Sequence, residues 1–133
     1  YQNMAKNNQP LSPHLSIYKW QITNTLSILH RFSGVLLFLA AIDFSIWLAS
    51  IAMGENSYAV ISGLSSNWLA LVFWVAVSFS FFYHSLNGLR HLAWDFGKGF
   101  ETHQVNYSGF IVVFLTLLLT SSFWFFLLTK YSF

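Results

Sequence analysis

WLALVFWVAVSFSFFYHSLNGLRHLAWDFG occupies residues 68–97. The stretch is apolar and aromatic for most of its length, and two histidines, an asparagine and an arginine arrive near its end. Apolar length of this kind suits a solvent without water: a helix rising about 1.5 Å per residue crosses the roughly 30 Å hydrocarbon core of a bilayer in about 20 residues. Three windows qualify, Phe32–Met53, Trp68–Leu89 and Tyr107–Thr129. They are broken by little more than Asp43 in the first, His84 in the second and Ser and Thr in the third, which is unlike the period of two in membrane barrel strands. The expected fold is therefore all-α, an integral membrane bundle of three transmembrane helices at about residues 28–53, 67–93 and 106–129. A transmembrane domain 28–133 would follow an interfacial segment 1–27.

Composition agrees. Of 133 residues 56% are hydrophobic and 20% aromatic, and only 8% are charged, too few to cover an ordinary soluble domain. The chain has no cysteine, which excludes disulfides, iron–sulfur ligation by this chain, thiolate-ligated haem and the covalent attachment of c-type haem. A metal centre here must rest on histidine, methionine or carboxylate. The amino-terminal YQNMAKNNQPLSPHLSIYKW lacks the features of a secretory signal, and Met4 reads as a candidate start. Within it Ser12 and Pro13 suit the cap and first position of a turn, and Leu15, Ile17, Tyr18 and Trp20 suit an interfacial or partner-docking segment.

Basic residues set the orientation. Lys6, Lys19 and Arg31 precede or open the first helix and Arg90 and Lys98 close the second, whereas the expected loop MGENSYAVISGLSSN carries Glu55 and no base. The amino terminus is expected in the cytoplasm, or in the matrix of a mitochondrion. It follows that His30, Arg31, Arg90 and His91 share one membrane level. His84, seven residues before His91, lies roughly 10 Å deeper.

Residues three, four and seven apart share a helix side. On the second helix that side holds His84, Asn87, Gly88 and His91; on the first it holds Ser27, His30, Arg31 and Gly34. Such stripes can be plain helix contacts, and arginines near a helix end can snorkel to the headgroups. His84 is too short to do so, and ionisable residues at such depth commonly carry function. It is either a hydrogen-bonded structural residue or an axial ligand to haem iron, with Gly88 leaving room for the macrocycle and cations at the surface for its propionates. No second histidine stands at its depth, so a six-coordinate haem would take its other ligand from another subunit.

PLSPHLSIYKW at 10–20, SILHRFSG at 27–34 and HSLNGLRHLAWDFGKG at 84–99 resemble the cytochrome b subunits, the large membrane anchors, of succinate dehydrogenase, respiratory complex II. The resemblance implies an anchor that binds haem b together with a small anchor subunit, and holds an iron–sulfur subunit and through it a flavoprotein. His84 would be the axial ligand, with His30, Arg31 and His91 near the propionates. Ser27 and Arg31 would contribute to a ubiquinone pocket walled by Trp20 and Ile28, while Asn24 is given no specific role. FAD and iron–sulfur clusters would belong to the partner subunits. The chain would thus serve an enzyme without holding its succinate-oxidising site, in the mitochondrial inner membrane or a bacterial cytoplasmic membrane, with lipid and protein partners and no nucleic acid.

Two other readings compete. A haem-free structural anchor of the same complex would lack a b-type spectrum. An unrelated transporter subunit would carry polar residues through all three spans, whereas here they collect in one leaflet. Asp43 has no counterpart in the family pattern and should face a partner helix or a water pocket, or be protonated. Thr116 and Thr120 are expected to satisfy backbone carbonyls. Asp95 should either pair with a cation or end the second span.

Overall fold

The computed structural model describes residues 20–131. The Ser12–Pro13 turn, Lys6, Lys19 and most of the expected docking segment lie outside the described residues. Four helices follow one another: α1 (Ile22–Met53), α2 (Glu55–Leu64), α3 (Trp68–Asp95) and α4 (Thr102–Lys130). Three of them, α1, α3 and α4, are long and apolar enough to cross a membrane, as the sequence windows predict. At about 1.5 Å per residue, the 32 residues of α1 reach about 48 Å, well beyond the hydrocarbon core. The excess places its first turns, with Ser27, ahead of the apolar window on a continuous helix.

The stretch expected to be a loop between the first two spans is instead largely helical. Gly54, at φ 107°, breaks the chain direction after α1, and Glu55 opens α2 where a negative side chain favours the helix amino terminus. α2 packs on α1, and its last turn brings Ile61 and Ser65 to a 360 Å³ cavity that Asp43 also lines, with Phe44, Trp47 and Trp74. Asp43 therefore lines a cavity whose other polar residue is Ser65, the cap that follows α2. Asn67 then caps α3, accepting a bond from the Ala70 amide at 3.0 Å.

α3 is the central element, packed against both α1 and α4. Each pair is antiparallel, since Tyr83 meets Leu26 while, in the other pair, Ser78 meets Trp124 and Arg90 meets Ser108. The buried positions repeat at helical spacing: Leu26, Ser33 and Ala40 on α1; Val77, Ser80, Tyr83, Asn87 and Arg90 on α3; Gly109, Val112, Thr116 and Thr120 on α4. Small and polar groups dominate the seam, as membrane helix packing requires when lipid is as apolar as leucine. Gly109 shows the closeness, for a Cβ there would stand 2.7 Å from Leu26 Cδ1. Thr116 donates to the Val112 carbonyl at 2.7 Å, as expected. Thr120 departs from that expectation, because its hydroxyl is buried with no partner among the described residues. Asp95 ends α3 and makes no ion pair among them.

Candidate functional site

The antiparallel packing of α1 on α3 brings the two polar stripes together. His30 and His84 stack with ring centroids 4.0 Å apart and planes 9° from parallel, and His91 lies 5.3 Å from His30 by centroid. Gly34 permits this approach: a Cβ on it would come within 3.2 Å of His84 Cε1.

The hydrogen bonds decide which ring nitrogen of His84 carries its proton. Nδ1 lies 3.2 Å from the His30 carbonyl oxygen and 3.0 Å from Ser33 Oγ. The carbonyl can only accept, and the Ser33 hydroxyl already donates to that same carbonyl at 2.8 Å. Nδ1 must therefore be the donor, and in the neutral imidazole this leaves Nε2 with its lone pair. Nε2 has no hydrogen bond within the described residues and is not among the buried unpartnered atoms, so it opens to the outside of the bundle. One turn further along α3, a Cβ on Gly88 would meet nothing within 4 Å. A neutral imidazole anchored through Nδ1–H with a free, outward Nε2 is the arrangement of a metal-ligating histidine, and the space beside Gly88 suits a flat macrocycle. The residues present fit a haem. Were His84 to ligate an iron, His30, stacked face to face on it, could not serve as the opposite ligand.

His30 Nδ1 is buried with no partner, so the other ring nitrogen is the one available to a group outside this chain. Arg31 is exposed and makes no hydrogen bond or ion pair within the described residues. Ser27, one turn before it on the same side of α1, is half-buried and its hydroxyl is likewise unengaged among them. Trp20 and Ile28 are 63% and 53% exposed, which suits walls of a pocket completed elsewhere. The Trp20 indole N–H donates to Thr25 Oγ1 at 2.6 Å, so that ring offers a surface rather than a free donor.

Arg90 departs from the shared-surface expectation. Only 7% exposed, it points into the α3–α4 seam and neither snorkels nor stands beside His91. Its Nε donates to Ser108 Oγ at 2.9 Å, Nη1 to Asn87 Oδ1 at 3.2 Å and Nη2 to the Val105 carbonyl at 2.9 Å, and Cζ sits 4.3 Å over the Trp94 ring. Two contributors absent from the sequence-derived set are Ser33 and Tyr83, whose hydroxyl donates to the Leu26 carbonyl at 2.5 Å. The seven-residue repeat Leu26, Ser33, Ala40 is the signal that marks Ser33 as facing α3.

Comparison with known proteins identifies the family. Residues 5–123 match the family described as the succinate dehydrogenase/fumarate reductase transmembrane subunit. The succinate dehydrogenase cytochrome b556 subunit of Rickettsia felis is 47% identical over 118 residues, covering 89% of this chain and 92% of the relative. The cytochrome b560 subunit of Reclinomonas americana is 42% identical over 122 residues, covering 88% and 85%. The mitochondrial cytochrome b560 subunit of Mus musculus is 40% identical over 118 residues, covering 86% of this chain and 69% of the relative. With the match running through all three spans and both polar stripes, this chain belongs to the succinate dehydrogenase/fumarate reductase transmembrane subunit family.

Proposed function

We propose that this chain binds haem b and contributes to a ubiquinone site as the large membrane anchor of a succinate dehydrogenase, with His84 as its axial iron ligand. The observation that carries the proposal is the state of the His84 ring, held through Nδ1–H by the His30 carbonyl and Ser33 with Nε2 left open. The designation of the relatives as cytochrome b subunits supports haem b as the group. A second ligand would come from the small anchor subunit. His30, Arg31 and His91 would hold the haem propionates, with Arg31 supplying positive charge. When bound, the haem supplies a one-electron store next to the quinone pocket; with both axial positions taken it does not activate oxygen.

Quinone reduction takes two electrons and two protons and develops negative charge on the carbonyl oxygens. Ser27 donates a hydrogen bond to one of them, and Arg31, unpaired among the described residues, sets a fixed positive charge beside it. Trp20 and Ile28 wall the ring. The pocket sits at the amino-terminal membrane surface, which faces the cytoplasm or matrix by the distribution of Arg31, Arg90 and Lys98, so water can deliver the protons. The same surface receives the iron–sulfur subunit and, through it, the flavoprotein, which hold the clusters and FAD.

A dithionite-reduced minus oxidised spectrum of the purified complex, native and His84→Ala, tests the assignment. Sharp b-type bands that vanish or shift in the variant are expected. Unchanged bands would remove His84 as the ligand, and a native complex that reduces ubiquinone without bands would be a haem-free anchor.

A further inference from the structure

We infer that Ser33 is a positioning residue for the axial ligand: it fixes the tautomer of His84 and sets how strongly Nε2 donates to iron. The inference rests on His84 being the haem ligand. Ser33 is 4% exposed and sits on α1, 51 positions from the ring it faces. Ser45 and Ser50 also donate back to a carbonyl of the preceding turn, but no ring meets their oxygens, and the ring that meets Ser78 Oγ is the Trp124 indole, not an imidazole. The Ser33 hydroxyl is oriented by its bond to the His30 carbonyl, so its lone pairs face His84 Nδ1 at 3.0 Å. One hydroxyl thus ties the ring proton and the carbonyl into a single closed set.

The chemical consequence is directional. A ligand imidazole whose N–H meets good acceptors is more electron-rich at its other nitrogen and favours the ferric state. Removing Oγ leaves the carbonyl at 3.2 Å as the remaining acceptor for Nδ1 among the described residues. The ring then donates less strongly and is freer to turn.

The experiment is a redox titration and low-temperature ferric EPR of the intact complex carrying Ser33→Ala, Ser33→Thr or Ser33→Cys, with His84→Ala alongside. Ser33→Ala should raise the haem midpoint potential and move the ferric g-values, and Ser33→Thr, which keeps the hydroxyl, should restore both. Ser33→Cys keeps the volume with a weak acceptor; it should shift the potential in the same direction and serves in place of the alanine variant if that one does not assemble. A native potential and native EPR lines in the alanine or cysteine variant would overturn the role of Ser33. If the native spectrum survived in His84→Ala, the ligand assignment itself would fall; loss of the spectrum there with silent Ser33 variants would defeat this inference alone.

Discussion

His30 and His84 stand as a parallel pair, ring on ring at 4.0 Å, with one contributed by α1 and the other by α3. The stack joins the two polar stripes and makes the imidazoles unequal. His84 has Nδ1 engaged and Nε2 open; His30 has Nδ1 buried and unpaired. His30→Ala should therefore leave a bis-histidine b-type spectrum, because the ring removed is a support and not a ligand. On the proposed reading the midpoint potential should shift, since a propionate partner would be lost. Loss of low-spin absorbance from the assembled His30 variant would make that residue a ligand and contradict the stacking argument.

Gly34 limits how far the His84 ring can be crowded. A Cβ at 3.2 Å from Cε1 requires the ring to give by a few tenths of an ångström, and a branched side chain requires far more. Gly34→Ala should retain haem, with a lower thermal midpoint for its release. Gly34→Leu should assemble with sharply reduced haem per complex. Pyridine haemochromogen content against flavin content reads both, and full haem occupancy in the leucine variant would show that the ring has another place to go.

Much of this arrangement is legible in the chain itself, because a run of some 20 apolar residues has few solutions. The three spans, their alternation and the common level of His30 and His91 all follow from window positions, and the structure carries them. α2 is harder to read: it is ten residues long, it contains Gly63 beside Glu55, Asn56, Ser57 and Ser62, and it packs on α1, which local sequence does not reveal. Arg90 and Ser33 escape for another reason. Each stands three residues after a member of a polar stripe, Asn87 and His30, so spacing admits both. An arginine near a helix end also fits a snorkelling cation and a serine a small packing residue, and only the neighbouring helix decides between these. Grouping residues by level places Arg90 at the surface, whereas side-chain direction places it inside. Asp43 looks stranded mid-span only until α2 returns to its level.

Arg90 is expected to act on stability rather than on redox chemistry. Arg90→Met would remove a donor from three acceptors; the Val105 carbonyl and Ser108 keep their bond to each other, whereas Asn87 Oδ1 is left unpaired among the described residues, at roughly 1–3 kcal/mol. Arg90→Lys keeps the charge but has no planar fork to reach three acceptors on two helices. Thermal midpoints of the assembled complex should fall in the order native, lysine, methionine, with the haem spectrum unchanged below each transition. A normal midpoint with altered haem bands would instead place Arg90 at the haem edge.

Ser27 and Arg31 share one side of α1, a turn apart, and neither is engaged elsewhere among the described residues. A pair serving quinone should affect one half-reaction only. Loss of one neutral hydrogen bond in Ser27→Ala should slow succinate-to-ubiquinone turnover about tenfold. Loss of a fixed charge where negative charge develops, in Arg31→Ala, should slow it on the order of 10²-fold. Succinate oxidation by an artificial dye should stay near native in both, because succinate and the dye react on other subunits. Arg31→Lys should recover part of the loss, as a point charge without the guanidinium's geometry. Equal loss of dye-linked and quinone-linked rates in a fully assembled Ser27→Ala complex would mean that this face of α1 holds the soluble subunits in place and does not touch quinone.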